Sequence, residues 1–461
     1  MSPLTILTDF LIPFLVAISV LIAVHEWGHY RMAVACGVKV LCFSIGFGKP
    51  IVRFKPKNQR PGQDTEFVIG LIPLGGFVKM LDGREGEVPE EERHLAFDAK
   101  PIRARALIVA AGPVANLLLA VLLFAAVNWI GQLEPRAVLA APVAGSLADK
   151  AGLQGGELVR AAALAGQEMQ PVRSFQTVGW LLVRGALDGQ DLTLQLESAG
   201  GGGTREVTLP LAALPSREPA QLLHTIGIAP LARPQLGELT HGGPAERAGL
   251  QKGDVVLKVG PTPVTSVDQL ISLIRASITA DGQPQASAWE VERAGQRLTL
   301  DVQPRVDGQR GWIDAQLGMA RPDMVQVRYG PVEGLTAGVR KVWEVSALSL
   351  RALGRIVTGQ LSVKNLSSPV AIADFAGKAA HVGLVAFIGF LAVISVGLGV
   401  FNLLPIPVLD GGLLVYFLWE AVTGKPVAGA WAERLQYVGL SLLLAVMAIA
   451  LYNDISTRWP F

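Results

Sequence analysis

Four stretches of the chain, Phe10 to Tyr30, Ala106 to Ile130, Val382 to Leu404 and Leu435 to Tyr452, are predominantly apolar over about the twenty residues a helix needs to cross a bilayer. Hydrocarbon offers backbone groups no hydrogen-bond partner, so such stretches are read as helices. The chain is therefore expected to be a polytopic α-helical membrane protein with four spans. Composition agrees, since 51% of the 461 residues are hydrophobic and only 17% are charged, too few charges for the surface of an ordinary soluble enzyme. A formal net charge of +2 gives no reason to expect a nucleic-acid partner. Cys36 and Cys42 form neither a disulfide framework nor a CxxC metal pair.

Charge placement orients the spans. Thirteen Lys and Arg residues fall between Arg31 and Arg105, and none precedes Arg31. The positive-inside rule puts that loop in the cytoplasm and both termini outside. The first apolar run is not read as a cleaved signal, because it has no basic n-region and the polar HEWGHYR precedes the small residues of AVAC.

Between the spans the composition changes. From Val38 to Met80 the chain is rich in Val, Ile, Phe and Gly, broken by Gly and Pro, which predicts short strands and turns on the cytoplasmic side. The polar DGREGEVPEEERHLAFDAKP that follows reads as a surface loop. From Gln132 a soluble-type composition takes over and contains a repeat: AGSLADKAGLQGGELVRAA from Ala144 and HGGPAERAGLQKGDVVLKV from His241. Their AGLQ cores start at Ala151 and Ala248, a period of 97 residues (248 minus 151), which suits one small domain per repeat. The expected organisation is a membrane core over 1–131, repeat domains over 132–230 and 231–320, an amphipathic helical linker over 321–380 and a second membrane core over 381–461. The linker helix is expected to lie at the outer membrane face or on the repeat domains.

Ionisable side chains inside a span are costly and usually functional, and the first span ends in HEWGH. His25 and His29 stand at i and i+4, so both imidazoles share one helix face, with Glu26 beside them; this is the HExxH spacing of zinc hydrolases. A hydrolytic zinc site takes three protein ligands and keeps one position open. The third is expected at Asp410 in NLLPIPVLDGG, because the first and third spans both run from outside to inside and so deliver His25, His29 and Asp410 to one depth. Pro405 and Pro407 interrupt the helix there, and Gly411 and Gly412 permit close approach.

The two repeats resemble PDZ domains, small β-sandwiches with a peptide-binding groove; GD is intact at Gly253-Asp254 and appears as GE at Gly156-Glu157. HTIGIAP near Gly227 and RGWIDAQLG near Trp312 would be their groove strands. Taken with HEWGH, GFG at Gly46 to Gly48, LGGFVKM at Leu74 to Met80, AGPVAN at Ala111 to Asn116 and NLLPIPVLDGG at Asn402 to Gly412, the whole chain resembles the site-two protease family of intramembrane zinc metalloproteases.

That resemblance implies zinc on His25, His29 and Asp410, Glu26 as general base, and Asn402 on the substrate main chain. It further implies a multi-pass inner-membrane protein with PDZ domains in the periplasm. Its substrates would be single-span membrane proteins, such as an anti-sigma factor already trimmed outside in the sigma-E stress response, together with remnant signal peptides. A substrate helix has to unwind before it is cut, and the strand-like segment with Gly75, Gly76 and Phe77 is expected to receive it by β-addition. A PDZ-bearing scaffold or a metal transporter are the competing readings; neither has a use for Glu26 as a proton acceptor.

Overall fold

A computed structural model describes residues 7–84, 86–198, 202–214, 222, 225–279, 281–308, 310–320, 322–360 and 368–458. The chain forms two compact units, one of residues 1–132 with 328–461 and one of residues 133–327. Four helices are long and apolar enough to cross a membrane: Thr8–Ala35, Ile102–Ile130, Leu384–Asn402 and Gly429–Asp454.

In the first unit, helix α1 (Ile12–Ala35) starts with proline in its first turn and stops at Gly37, whose φ of +70° no β-carbon hinders. Strands β1 (Val40–Phe54) and β2 (Glu66–Met80) follow. They fold over each other: Ile45 lies opposite both Gly76 and Ile69, and Phe67 opposite both Phe43 and Phe54. Gly46 and Gly70 permit this, since a β-carbon on Gly70 would stand 2.6 Å from the Phe47 carbonyl oxygen. The C-terminal end of β2, Gly76 to Met80, has β1 on one side and no strand on the other among the described residues.

Helix α2 (Ile102–Ile130) crosses α1 through small residues. A β-carbon on Gly28 would lie 2.3 Å from the Ala111 carbonyl oxygen and 2.8 Å from Ala115 Cβ. The two backbones thus approach closely at Gly28, a packing suited to lipid, where van der Waals contact drives helix association.

The second unit opens and closes on one ribbon, β3 (Gln132–Pro135) paired with β16 (Met324–Val327). Its first module holds α3 (Leu147–Lys150), β4 (Leu158–Leu164), β5 (Gln170–Pro171), α4 (Phe175–Asp188), β6 (Leu192–Glu197) and β7 (Thr204–Leu209), with sheet order β5-β4-β6-β7. The second module holds β8 (Pro234–Leu239), α5 (Pro244–Arg247), β9 (Val255–Val259), β10 (Thr262–Pro263), α6 (Val267–Ala276), β11 (Ser287–Arg293) and β12 (Gln296–Val302). After these come β13 (Arg305–Asp307), β14 (Arg310–Trp312) and β15 (Ala315–Met319), and the sheet order is β12-β11-β9-β8-β15 with β10 on β9. Each module has its own core, the first around Leu164, Leu182 and Leu194, the second around Val256, Leu270 and Val291.

The sequence repeat is a repeat of interactions. The Gln154 N–H donates to Glu157 at 3.1 Å and the Gln251 N–H to Asp254 at 2.8 Å. Arg205 bridges Glu157 (2.6 Å) and the Gly152 carbonyl (2.8 Å), while Arg293 bridges Asp254 and the Gly249 carbonyl (2.7 Å each). One carboxylate in the same buried place explains why GE substitutes for GD. Of the two expected groove strands, one needs correction. Thr225 and Ile226 are helical and the segment makes only a single bridge, Leu139 with Pro230, a residue that has no N–H to extend a ladder; His224 lies outside the described residues. RGWIDAQLG is extended, as β14 and β15, with β15 at the edge of the sheet on β8; β14 packs onto α6, so that a β-carbon on Gly311 would lie 2.2 Å from the Ile274 carbonyl oxygen.

The chain re-enters the first unit where Tyr329 N–H donates to the Asn128 carbonyl, and continues as α7 (Pro331–Val357). This amphipathic helix packs along α2. Gly334, Gly338 and Val342 form its buried stripe, and a β-carbon on Gly338 would lie 2.9 Å from the Val121 carbonyl oxygen. Then come α8 (Pro369–Val382), α9 (Leu384–Asn402), α10 (Asp410–Thr423) and α11 (Gly429–Arg458). Gly383, at φ +131°, separates α8 from α9.

Candidate metal centre

His25 and His29 lie on the same face of α1, both buried at 8% and 9% exposure. Asp410 comes from the first turn of α10, where a carboxylate is favoured by the helix dipole. The chain reaches it through a turn of close backbone contacts: β-carbons on Gly411 and Gly412 would stand 2.1 Å from the Leu404 carbonyl oxygen and 2.5 Å from that of Ile406. Val408, two residues before Asp410, has φ +94°, a conformation that β-branched residues avoid. Strain of this kind persists only where the surroundings enforce it.

The three side chains converge. His25 Nε2 is 3.2 Å from His29 Nε2 and 3.1 Å from Asp410 Oδ2, and His29 Nε2 is 3.6 Å from the same oxygen. A tetrahedral zinc ion with bonds of about 2.0–2.2 Å sets its ligand atoms about 3.3–3.6 Å apart, so the donor set fits that ion in type and spacing. Among the described residues no other group of three or more His, Cys, Asp and Glu is placed to share a metal. The far side of His29 is fixed as well, since its Nδ1 lies 2.8 Å from the Ile108 carbonyl oxygen. That bond puts the proton on Nδ1 and leaves Nε2 a free lone pair.

Glu26 is half-buried on the neighbouring face, next in sequence to His25. Gly76 lies against it, with Glu26 Cγ 2.9 Å from where a β-carbon would be. Gly75 has φ +116° and no room for a side chain, because Phe47 Cε2 would be 2.1 Å away. Phe77 stacks on Phe47 with centroids 6.2 Å apart, and both rings are partly exposed. Gly75, Gly76 and Phe77 therefore lie on the open edge beside Glu26. Asn402 ends α9 half-buried, and among the described residues its side chain makes no hydrogen bond to the cluster.

Sequence reasoning assigned no role to two residues that touch the site. A β-carbon on Gly112 would stand 2.2 Å from His29 Nε2, and Asn116 Nδ2 is placed 3.2 Å from His25 Nδ1. A polar asparagine within an apolar span was the available signal.

The fold and the cluster define a polytopic membrane protein in which two buried histidines of the first span meet one carboxylate from the start of α10. The sequence matches peptidase family M50 over residues 13–446, and the chain belongs to that family. It is a zinc metalloprotease. It is 41% identical to a zinc metalloprotease of Ralstonia nicotianae, covering 96% of this chain and 97% of the relative. It is 39% identical to one of Xylella fastidiosa and 37% identical to the regulator of sigma-E protease RseP of Escherichia coli, with the same coverage of each chain.

Proposed function

We propose that this zinc metalloprotease cuts peptide bonds within or next to the transmembrane segments of single-span membrane proteins, with zinc held by His25, His29 and Asp410. The observation that carries the reading is the separation of those three ligand atoms, 3.1 to 3.6 Å between residues of two remote segments. Zinc in such a site lowers the pKa of water to about 7 and acts as a Lewis acid. Glu26 then takes the proton from the attacking water at a carboxylate oxygen and returns it to the departing amine.

The substrate backbone needs partners once unwound in lipid. We assign that role to the free edge of β2: a peptide added there as a strand passes Gly75, Gly76 and Phe77 and lies next to Glu26. Asn402 is assigned to the substrate main chain; undiminished cleavage of several substrates by Asn402→Ala would contradict this.

The site faces the cytoplasmic side of the inner membrane in this reading, with the termini and two PDZ-like modules in the periplasm; the thirteen basic residues from Arg31 to Arg105 support it. The modules act as a size filter that admits substrates already trimmed outside, of the anti-sigma-factor type, and remnant signal peptides. The tight seat of Gly311 on α6 favours a filter over tail binding in the second module. Excising residues 133–327 should allow cleavage of untrimmed substrate, and unchanged selectivity would count against the filter.

The ligand assignment is tested by zinc content per chain in wild type, His25→Ala, His29→Ala and Asp410→Ala. One zinc in the wild type and substoichiometric zinc in each variant is expected. Full zinc in any variant removes that residue from the set.

A further inference from the structure

Asn116 is wholly buried at the junction of three spans. Its backbone carbonyl accepts a hydrogen bond from the Ser395 hydroxyl of α9 at 2.7 Å, and its carboxamide faces His25 Nδ1 of α1 at 3.2 Å. As placed, the amide nitrogen meets the imidazole, and Oδ1 is buried with no partner among the described residues. The oxygen and nitrogen of a carboxamide are interchangeable in shape, and their assignment follows from the hydrogen-bond network. One end of this amide is orphaned in either orientation, so the orphan does not choose between them; the imidazole does.

His25 Nε2 is the atom that faces His29 and Asp410. If it gives its lone pair to zinc, the one proton of the neutral ring sits on Nδ1 and needs an acceptor. For His29 that acceptor is the Ile108 carbonyl. For His25 the group within reach is the Asn116 carboxamide.

We infer that Asn116 is a positioning residue for the metal centre: its Oδ1 accepts the Nδ1–H of His25, fixing the ring's tautomer and rotation so that Nε2 meets zinc. The inference rests on His25 being a ligand. Partners of this kind typically contribute 10–100-fold to metal affinity. Each is the hydrogen-bond partner at the Nδ1 side of its histidine among the described residues, and the two come from one stretch of α2, Ile108 and Asn116.

The test is chelator competition for zinc on the purified full-length protein in detergent, with no turnover involved. Wild type is compared with Asn116→Leu, which keeps the size and removes the acceptor, and with Asn116→Asp, which is acceptor-only. Zinc affinity 10–100-fold lower in Asn116→Leu and wild-type or tighter in Asn116→Asp is the expected result. Wild-type affinity in Asn116→Leu overturns the inference. If Asn116→Leu does not fold, Asn116→Asp decides alone: zinc held as tightly as in wild type supports the assignment, and a loss of tenfold or more overturns it. His25→Ala separates this from the ligand reading. Zinc lost there but kept in Asn116→Leu contradicts only the positioning role, whereas zinc kept in His25→Ala contradicts both.

Discussion

Arg105 and Glu420 form a two-bonded ion pair, 3.1 and 2.6 Å, that ties the start of the second span to the helix begun by Asp410. Both side chains are largely buried, the guanidinium lies over Phe417 at 5.0 Å, and its Nε donates to the Lys100 carbonyl at 3.1 Å. The third ligand-type residue is thus held at one end of α10 by its turn and at the other by this pair.

Removing one partner of such a pair leaves a buried charge without compensation, at a cost of about 3 kcal/mol or more. Arg105→Ala and Glu420→Ala should each lower the unfolding midpoint in detergent and weaken zinc retention. Combining them should cost less than the two single losses added. Strict additivity would mean that the two residues act separately.

Gly112 supplies the space that His29 fills. Gly112→Ala places a methyl group 2.2 Å from where Nε2 now stands, so the ring has to leave its position. Zinc binding should fall at least tenfold, while Gly354→Ala, at a helical glycine with nothing within 4 Å, should leave it unchanged. Wild-type zinc affinity in Gly112→Ala would show that the helices separate at no cost to the site.

In the second module Asp254 is fully buried and serves the Gln251 N–H and the Arg293 guanidinium together. Asp254→Ala should destabilise that module by about 2–4 kcal/mol, read as a lowered unfolding midpoint with zinc content unchanged. Loss of zinc along with it would tie the module to the metal centre.

The loop between β2 and α2 carries a pH-sensitive staple. Two hydrogen bonds from Arg93, at 2.8 and 2.7 Å, hold the Asp98 carboxyl down to about 2 against burial, which pushes the other way, with help from the Gly83 N–H. A carboxyl whose folded value is depressed contributes stability that is complete above its ordinary value, near 3.8, and is lost as pH falls toward about 2. Amide exchange at Gly83 should therefore accelerate as pH drops through that window, beyond its intrinsic pH dependence. Asp98→Asn should flatten the change; an identical profile in both proteins would remove Asp98 as the cause.

The convergence of His25, His29 and Asp410 was legible because its signals are discrete. HEWGH sets two side chains on one helix face, and span parity was enough to expect Asp410 beside them. Asn116 and Gly112 were not legible in role, since what they do depends on which face of α2 meets α1, and an apolar span has no period to reveal it. Helix α10 was missed for a related reason: after Pro405, Pro407, Gly411 and Gly412 the sequence reads as a break, although Asp410 in the first turn stabilises a helix start. The place of α7 turned on Gly334 and Gly338, small residues that a pattern of apolar spacing does not count as a contact surface.

The most direct measurement is cleavage of a single-span, outer-trimmed substrate in detergent by wild type and by Glu26→Gln, with bound zinc quantified in both. Loss of cleavage by a factor of a thousand or more in Glu26→Gln, with zinc retained at the wild-type level, is expected of a general base that is not a ligand. Equal cleavage by the two proteins would contradict the proposed mechanism.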